Sequence, residues 1–154
     1  MDTVTIRPAE PRDVPQIAAL CHALWPDGSI DEHARELAAL LLSGNRGTLP
    51  ATILIAQDST GSVAGFIDCG LRSHADGCDS SHPVGYIEGW YVVPSQRRRG
   101  IAARLLAAAE QWAIAQGCHE LASDTWIDNL DSQRVHEALG FEVVDRCVNY
   151  RKKL

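Results

Sequence analysis

A short basic loop carries the clearest chemistry in the chain. Arg97, Arg98 and Arg99 precede Gly100, and an Ala- and Leu-rich stretch with helical spacing follows directly. The first N–H groups of a helix have no partner inside it, and the helix dipole favours an anion there. Gly100 lets the backbone approach a bulky anion closely. The pattern predicts a diphosphate site, although a solvated basic turn before a surface helix has the same local sequence.

Glu88 is an acid in the otherwise apolar stretch Tyr86–Trp90. Such a carboxylate either faces solvent at a sheet edge or is held for chemistry. We favour the second role, in which Glu88 is a ligand of the substrate or a base that acts through water. Gly89 beside it predicts a bulge that splays the strand and makes room for a cofactor. Asp124 ends a later strand, a common position for ligand contacts in such sheets.

Hydrophobic periodicity and turn residues predict the elements that position these groups. Strands are expected at Thr3–Pro8, Thr52–Gln57, Val63–Leu71, Gly85–Val93, Glu120–Asp124 and Phe141–Arg151. Helices are expected at Asp13–Trp25, Asp31–Leu42, Ala102–Ala115 and Asn129–Leu139. The sequence also predicts a hairpin turn at residues 58–62 and a polar loop at Ser73–Pro83.

Length and composition predict one domain, residues 1–154. Hydrophobic residues make up 45% and charged residues 22% of the chain, with no repeat or linker to divide it. No apolar run approaches the ~20 residues that span a bilayer, so no membrane role is expected. The start, Met1–Val4, resembles a strand and lacks the regions of a signal peptide, so we expect a cytoplasmic protein.

The net charge of −6 argues against nucleic-acid binding. Basic residues are concentrated at Arg97–Arg99 and Arg151–Lys153, which suits a protein that binds one small anion and presents acids to a cationic partner.

The five cysteines fit reduced thiols better than a disulfide framework. Cys69, His74, Cys78 and His82 cluster in sequence, but their spacing matches no familiar zinc pattern, so no metal is expected. No cysteine is paired with a convincing histidine and acid, which argues against a nucleophilic thiol.

The chain resembles the GNAT superfamily of acetyl-CoA-dependent N-acetyltransferases over essentially its whole length. Arg97, Gly100 and Ala102 match the signature Gln/Arg-x-x-Gly-x-Gly/Ala, and Asn129 and the closing Leu139–Phe141 add to it. The resemblance implies a GNAT-like α/β (α+β) fold, with a mixed, mostly antiparallel central sheet of about six strands and about four flanking helices. It also implies acetyl-CoA as co-substrate.

A narrower resemblance is to the aminoglycoside 6'-N-acetyltransferases, which confer antibiotic resistance. It rests on short matches at Leu24–Pro26, Glu88–Gly89, Ala122–Asp124, Val135–Phe141, Gly77–Ser81 and Tyr150–Lys153. The resemblance implies a homodimer that transfers acetyl directly to the 6'-amine of an aminoglycoside, with both substrates bound together. Two alternatives stay open. One is a GNAT enzyme for a polyamine, small metabolite amine or protein N-terminus, and the other is a catalytically silent CoA-binding module.

The resemblance assigns the cofactor contacts to the strand and loop around the signature. The pantetheine arm pairs with the main chain of the strand, like an added strand, and the pyrophosphate binds the loop amides. The residues concerned are Trp90, Tyr91 and Val92 on the strand and Arg97, Arg98, Arg99, Gly100, Ile101 and Ala102 in the loop and helix start. The N–H of Val92 also polarises the thioester carbonyl. Asn129 touches the pantetheine, caps its helix, or does both.

Four residues are expected to bind the acceptor: Trp25, Glu88, Asp124 and Asp145. Trp25 and Asp145 are included because they match positions that contact the antibiotic in the family that the chain resembles. Without that resemblance, Asp124 and Asp145 could equally be ordinary surface acids. Carboxylates suit the ammonium and hydroxyl groups of an aminoglycoside. Trp25 either stacks on a sugar ring or fills the core beneath the helix end.

His136 marks a departure from the superfamily pattern. Many members place a tyrosine seven residues after the asparagine, where it protonates the departing thiolate. An imidazole can donate that proton. Alternatively, His136 is a packed histidine, which is the interpretation we favour, and the thiolate takes its proton from solvent or from Tyr150.

Overall fold

A computed structural model describes residues 3–154, so the prediction for Met1 and Asp2 lies outside the described part of the chain. The strands are β1 (Thr5–Pro8), β2 (Asn45–Arg46), β3 (Leu49–Gln57), β4 (Val63–Arg72), β5 (Val84–Val92) and β6 (Leu121–Ser123). The helices are α1 (Val14–Leu24), α2 (Ile30–Ser43), α3 (Ile101–Ala115) and α4 (Leu130–Ala138). Single turns of 3-10 helix at Pro11–Asp13 and Pro94–Gln96 precede α1 and follow β5.

The central sheet has the strand order β1-β3-β4-β5-β6, and the short β2 pairs with β3. The pair β5–β6 is parallel, whereas the other pairs are antiparallel. The predicted mixed, mostly antiparallel sheet with four helices is therefore confirmed. The two-residue β2 was not predicted, because two residues are too few to give a periodic signal.

The two faces of the sheet bury separate apolar clusters. Along β3, Ile53 and Ile55 pack with α1 and α2, whereas Leu54 and Ala56 pack with α3. Alternate side chains of a strand point to opposite faces, so both sets are buried when helices cover both faces. This explains why β3 and β4 read as nearly continuous apolar runs.

Helix α2 has clear stop and start signals. Ser29 Oγ accepts a hydrogen bond from the N–H of Glu32, and the Glu32 carboxylate accepts one from the N–H of Ser29. At the other end Gly44 takes a left-handed conformation, with φ of 70°, which closes the last turn.

The predicted last strand, Phe141–Arg151, is wrong for this chain. Residues 142–154 form neither helix nor strand and are exposed, including Val143, Val144 and Val148 at 51%, 60% and 68%. The β-branched residues favour extended backbone, but a strand also needs a neighbour, and β6 has only three residues. In residues 3–154, no helix is long and apolar enough to cross a membrane.

Candidate active site

A gap in the sheet lies between β5 and β6. These strands pair only from Gly85 to Ile87 on β5, whereas β5 continues to Val92. On the β6 side, the edge from Glu88 to Val92 has no strand partner among residues 3–154. Free N–H and C=O groups on a strand edge can pair with an extended ligand. The gap is therefore suited to a chain-like ligand such as a pantetheine arm.

The main chain of Val92 faces this gap. The N–H of Val93 donates to Ala64 O on β4, at 2.8 Å. Successive N–H groups of a strand point to opposite edges, so the N–H of Val92 points away from β4. Its carbonyl points the same way and accepts from Arg97 Nε at 2.8 Å. The Val92 N–H thus has the direction that its predicted role requires.

The loop after β5 has the backbone geometry of an anion site. Arg98 and Gly100 both lie in the left-handed region, with φ of 64° and 75°, and α3 begins at Ile101. A turn of this kind directs successive N–H groups to one side, where an anion can bind. Within residues 3–154, a Cβ added at Gly100 has no neighbouring heavy atom within 4 Å, so the space before the helix is open. The diphosphate cradle predicted from sequence fits this geometry.

Two of the three arginine side chains brace the loop itself. Arg97 reaches back to Val92 O, and its guanidinium carbon lies 5.4 Å from the centre of the Tyr91 ring. Arg99 donates to Gln96 Oε1 at 3.0 Å. Their charges therefore lie close to the open space before α3.

Glu88 is held by an arginine that the sequence did not single out. Arg72, the last residue of β4, donates from Nε to Glu88 Oε1 at 2.9 Å and from Nη2 to Oε2 at 2.8 Å. The ion pair raises the pKa of Arg72, mainly through its hydrogen bond to Glu88. The pair is partly exposed, with side-chain exposures of 44% for Arg72 and 25% for Glu88. The Glu88 carboxylate is thus within reach of solvent, and its negative charge is balanced by Arg72.

Asp124 lies just past β6 and accepts a hydrogen bond from the Tyr86 hydroxyl at 2.5 Å. Burial and this hydrogen bond raise the pKa of Tyr86, so the hydroxyl keeps its proton. The Arg72 guanidinium carbon lies 3.4 Å from the centre of the Tyr86 ring. Arg72 and Tyr86 therefore join Glu88 and Asp124 in one polar cluster.

Trp25 lies against the bulge in β5. The β4–β5 register shifts between Asp68 and Cys69, which leaves Glu88 as the extra residue beside Gly89. The predicted bulge is confirmed. A Cβ at Gly89 would lie 2.8 Å from Trp25 Cζ2, so only glycine admits the indole here. Trp25 is 37% exposed and also packs on Phe66, with ring centres 6.4 Å apart. It can present a face to a ligand while it covers the core.

His136 has both ring nitrogens engaged. Nδ1 lies 2.7 Å from Ser132 O, which can only accept, so Nδ1 carries the hydrogen. Nε2 lies 2.8 Å from Ser123 Oγ, and in the neutral ring it accepts the hydroxyl hydrogen. The ring also packs edge-on with Trp90 and Phe141, at 5.4 and 5.1 Å between centres. These contacts favour the packed histidine over the proton donor.

Asn129 caps α4. Its Oδ1 accepts from the N–H of Ser132 at 3.1 Å. The cap uses only the Oδ1 atom of Asn129, and the side-chain NH₂ is a separate donor group. Capping the helix and contacting the pantetheine are therefore compatible roles.

Two predicted residues, Asp145 and Tyr150, lie on the exposed C-terminal segment. Asp145 is exposed and accepts from the N–H of Arg146, and Tyr150 is 92% exposed. Among the described residues, no hydrogen bond or ion pair joins either of them to Glu88 or Asp124. This chain alone therefore brings together Trp25, Glu88 and Asp124 but not Asp145 or Tyr150.

The buried thiols are poor nucleophiles. Burial raises the pKa of Cys69 to about 12 and that of Cys118 above its ordinary value. Only the thiolate is strongly nucleophilic, so these groups are inert at neutral pH. In the described part of the chain, no group of three or more His, Cys, Asp or Glu side chains could hold a metal ion.

Arg72, Tyr86 and Ser123 are the polar residues that sequence reasoning missed. Arg72 and Glu88 are sixteen residues apart, and the loop 73–83 hides the register of their strands. The sequence signal that could have found the pair is opposite charge on two neighbouring strands.

Comparison with known proteins agrees with this geometry. The family model described as "Acetyltransferase (GNAT) family" matches residues 16–141. The chain belongs to this family, which makes it an acetyl-CoA-dependent N-acetyltransferase.

The chain is similar to individual aminoglycoside-modifying enzymes. It is 47% identical over 137 residues to aminoglycoside N(6')-acetyltransferase type 1 of Serratia marcescens, covering 88% of this chain and 90% of that one. Among solved structures, AAC(6')-Iy in complex with CoA superposes with a TM-score of 0.89 at 37% identity, covering 100% of this chain and 97% of that one. A complex of AAC(6')-Iy with the bisubstrate analogue CoA-S-monomethyl-acetylneamine gives 0.87 at 37% identity, covering 99% of each.

Proposed function

We propose that the protein is an aminoglycoside 6'-N-acetyltransferase that uses acetyl-CoA and confers resistance. The observation that carries the proposal is that a site suited to acetyl-CoA and a pair of carboxylates lie at the same strand, β5. The free edge of β5 leads to the open loop at Gly100, and the carboxylates of Glu88 and Asp124 lie beside that strand. A thioester donor and a polycationic acceptor can therefore meet at β5.

The donor side binds acetyl-CoA through main-chain groups. The amides from Arg98 to Ala102 bind the pyrophosphate, helped by the dipole of α3. Trp90, Tyr91 and Val92 pair with the pantetheine arm along the edge of β5. The support for this assignment is that no described strand pairs with that edge beyond Ile87, together with the open space at Gly100.

The acceptor side binds the aminoglycoside through acids and an aromatic face. Glu88 and Asp124 bind ammonium groups by charge-assisted hydrogen bonds, and Trp25 packs on a sugar ring. This arrangement favours a polycationic acceptor over a protein N-terminus, which carries a single ammonium group.

The reaction is a direct acyl transfer. The neutral amine attacks the thioester carbon, the C–N bond forms, and the C–S bond breaks to release CoA. An amine with a pKa near 8 needs little help to lose its proton at neutral pH. The amine's proton goes to water or through water to Glu88. The Val92 N–H stabilises the negative charge on the carbonyl oxygen, and the departing thiolate takes a proton from solvent.

We further propose that the protein is a cytoplasmic homodimer in which the exposed C-terminal segment, residues 142–154, packs on a second copy. Its exposed apolar side chains support this, since large exposed apolar patches commonly mark interfaces. Asp145 lies on this segment and joins the acceptor site only if the segment is repositioned by a partner. The unbridged cysteines fit the reducing cytoplasm.

The test of the proposed function is release of free CoA from acetyl-CoA with kanamycin, spermidine and an N-terminal peptide as acceptors. We expect turnover with kanamycin and mass and NMR spectra that place one acetyl group on the 6'-amine. Turnover with spermidine or the peptide but not kanamycin would replace the proposal with the broader GNAT function. Binding of acetyl-CoA without turnover on any acceptor would support a silent module.

A further inference from the structure

Arg72 holds Glu88 in the way that a cationic ligand would. Its guanidinium uses two nitrogens against the two carboxylate oxygens, at 2.9 and 2.8 Å. The edge of the guanidinium bonds the carboxylate, and its carbon lies over the Tyr86 ring, 3.4 Å from the ring centre. Charge-assisted hydrogen bonds and ring stacking are also the contacts that bind an aminoglycoside ammonium group.

The two acids of the acceptor site differ in how they are satisfied. Glu88 is paired with a full positive charge, whereas Asp124 accepts a hydrogen bond from the neutral hydroxyl of Tyr86. An incoming ammonium group can therefore bind Asp124 directly. An ammonium group that approaches Glu88 has to compete with Arg72.

The neighbouring acid Asp68 is not a further binding site for an ammonium group. It is 8% exposed, and both of its oxygens accept from Arg46 Nη2, at 2.8 and 2.7 Å. The two arginines are equally exposed, but the Glu88 side chain is 25% exposed whereas that of Asp68 is 11% exposed. The Arg72–Glu88 pair, at the end of β4, is thus the pair that a ligand from solvent can reach.

We propose that Arg72 is an internal competitor of the acceptor: it occupies the place of a substrate ammonium group on Glu88 and must yield that carboxylate when a polycationic acceptor binds. The proposal rests on the proposed function. Arg72 thereby lowers acceptor affinity, because an acceptor that binds Glu88 must break the Arg72–Glu88 ion pair, and the free energy of that pair is subtracted from the binding free energy.

The size of the effect follows from the exposure of the pair. Partly exposed ion pairs contribute little, so loss of the competing charge should tighten binding by about three- to fivefold. An acceptor with one ammonium group binds Asp124 and gains little from a free Glu88. The effect is therefore specific to acceptors with several ammonium groups.

The experiment is calorimetric titration of the full-length protein, saturated with CoA, with kanamycin and with the monoamine 6-amino-6-deoxyglucose. The variants are Arg72→Gln, which removes the charge, and Arg72→Lys, which keeps it. Arg12→Gln is the matched control, because Arg12 forms an exposed ion pair with Glu10 outside this cluster.

We expect Arg72→Gln to lower the Kd of kanamycin several-fold and to leave the Kd of the monoamine nearly unchanged. Arg72→Lys and Arg12→Gln should bind kanamycin like the wild type. In the double variant Arg72→Gln with Glu88→Gln, kanamycin should bind no more tightly than in Glu88→Gln alone.

A higher or unchanged Kd of kanamycin in Arg72→Gln would overturn the proposal, because a residue that only positions Glu88 would weaken binding when removed. If Arg72→Gln gave that result while the wild type acetylated kanamycin, the proposed function would remain intact. A wild type that neither binds nor acetylates kanamycin would overturn both.

Discussion

Gly89 lies between two residues of the proposed acceptor site, next to Glu88 in the strand and against the Trp25 indole. It follows the extra residue of the β5 bulge, and its missing side chain lets the Trp25 indole lie against the strand. The bulge directs Glu88 toward Arg72 instead of leaving it in regular register. One small residue therefore serves both the aromatic and the acidic part of the proposed acceptor site.

We predict that Gly89→Ala destabilises the protein by about 1–3 kcal/mol, because its Cβ overlaps the Trp25 ring. Urea unfolding of Gly89→Ala, Trp25→Ala and the double variant measures this directly. Most of the loss from Gly89→Ala should disappear in the Trp25→Ala background. An equal loss in both backgrounds would mean that the indole does not need this space.

Asp124 can be tested by a substitution that keeps its shape. Asp124→Asn retains an oxygen that accepts from the Tyr86 hydroxyl but removes the negative charge. We expect the KM for kanamycin to rise about tenfold, since a charge-assisted hydrogen bond is lost, while the KM for acetyl-CoA changes little. Asp131→Asn, at an exposed acid on α4, is the control. An unchanged KM for kanamycin would remove Asp124 from the acceptor site.

At the scale of elements, the sequence predicted most of what depends on local pattern. The helices around Ile17, Leu37 and Leu105 follow from apolar residues at helical spacing, and the bulge follows from Gly89 beside an acid. The Gly100 loop follows from its glycine and its place between a strand and a helix.

What the sequence did not predict depends on pairing between distant segments. The Arg72–Glu88 pair requires the register of β4 against β5, and the long loop between them conceals that register. The strand predicted at Phe141–Arg151 has the right residue types, but no pattern in a single chain shows whether a neighbouring strand is present to pair with it. The acid site could thus be located only in part.

The start of α1 is joined to the sheet by an ion pair that gives a pH-dependent stability. Asp13 is buried and accepts from both Nη atoms of Arg7 on β1, at 2.8 and 2.9 Å. The Arg7 hydrogen bond holds the pKa of Asp13 below its ordinary value of 3.8. The ionised carboxylate therefore stabilises the fold above pH 3.8, and this contribution is lost as the pH falls through the lowered pKa.

We expect the free energy of unfolding to fall less steeply in Asp13→Asn than in the wild type when the pH is lowered from about 5 to about 2.5. Urea unfolding across this range gives the measurement, with Asp131→Asn as an exposed control. Asp13→Asn should also be less stable at neutral pH. Parallel pH profiles for Asp13→Asn and the wild type would show that the pair does not set acid stability.

At the scale of the whole molecule, the proposed function brings the two substrates to the same strand from different features of the fold. The donor loop begins α3, while the acceptor cluster lies on β4, β5 and the end of β6. A net charge of −6 with basic residues in the donor loop fits an anionic donor and a cationic acceptor.

The C-terminal segment makes the proposed dimer testable. Val148→Asp places a charge on an apolar residue that is 68% exposed, and we expect it to convert the dimer to a monomer. Light scattering after size-exclusion chromatography gives the molecular mass. Leu42→Asp, at a residue of 92% exposure on α2, is the control and should remain dimeric. A monomeric wild type, or a dimeric Val148→Asp, would contradict this arrangement.

The account depends most on donor binding at the loop before α3. Calorimetric titration of CoA into Gly100→Val and Gly117→Val compares two glycines, one at each end of α3, both with positive φ and with open space at the Cβ position. Either substitution strains the backbone by about 1–2 kcal/mol. We predict that Gly100→Val loses CoA binding, because its side chain fills the space before the helix, while Gly117→Val binds like the wild type. CoA binding of wild-type affinity in a folded Gly100→Val would contradict the account.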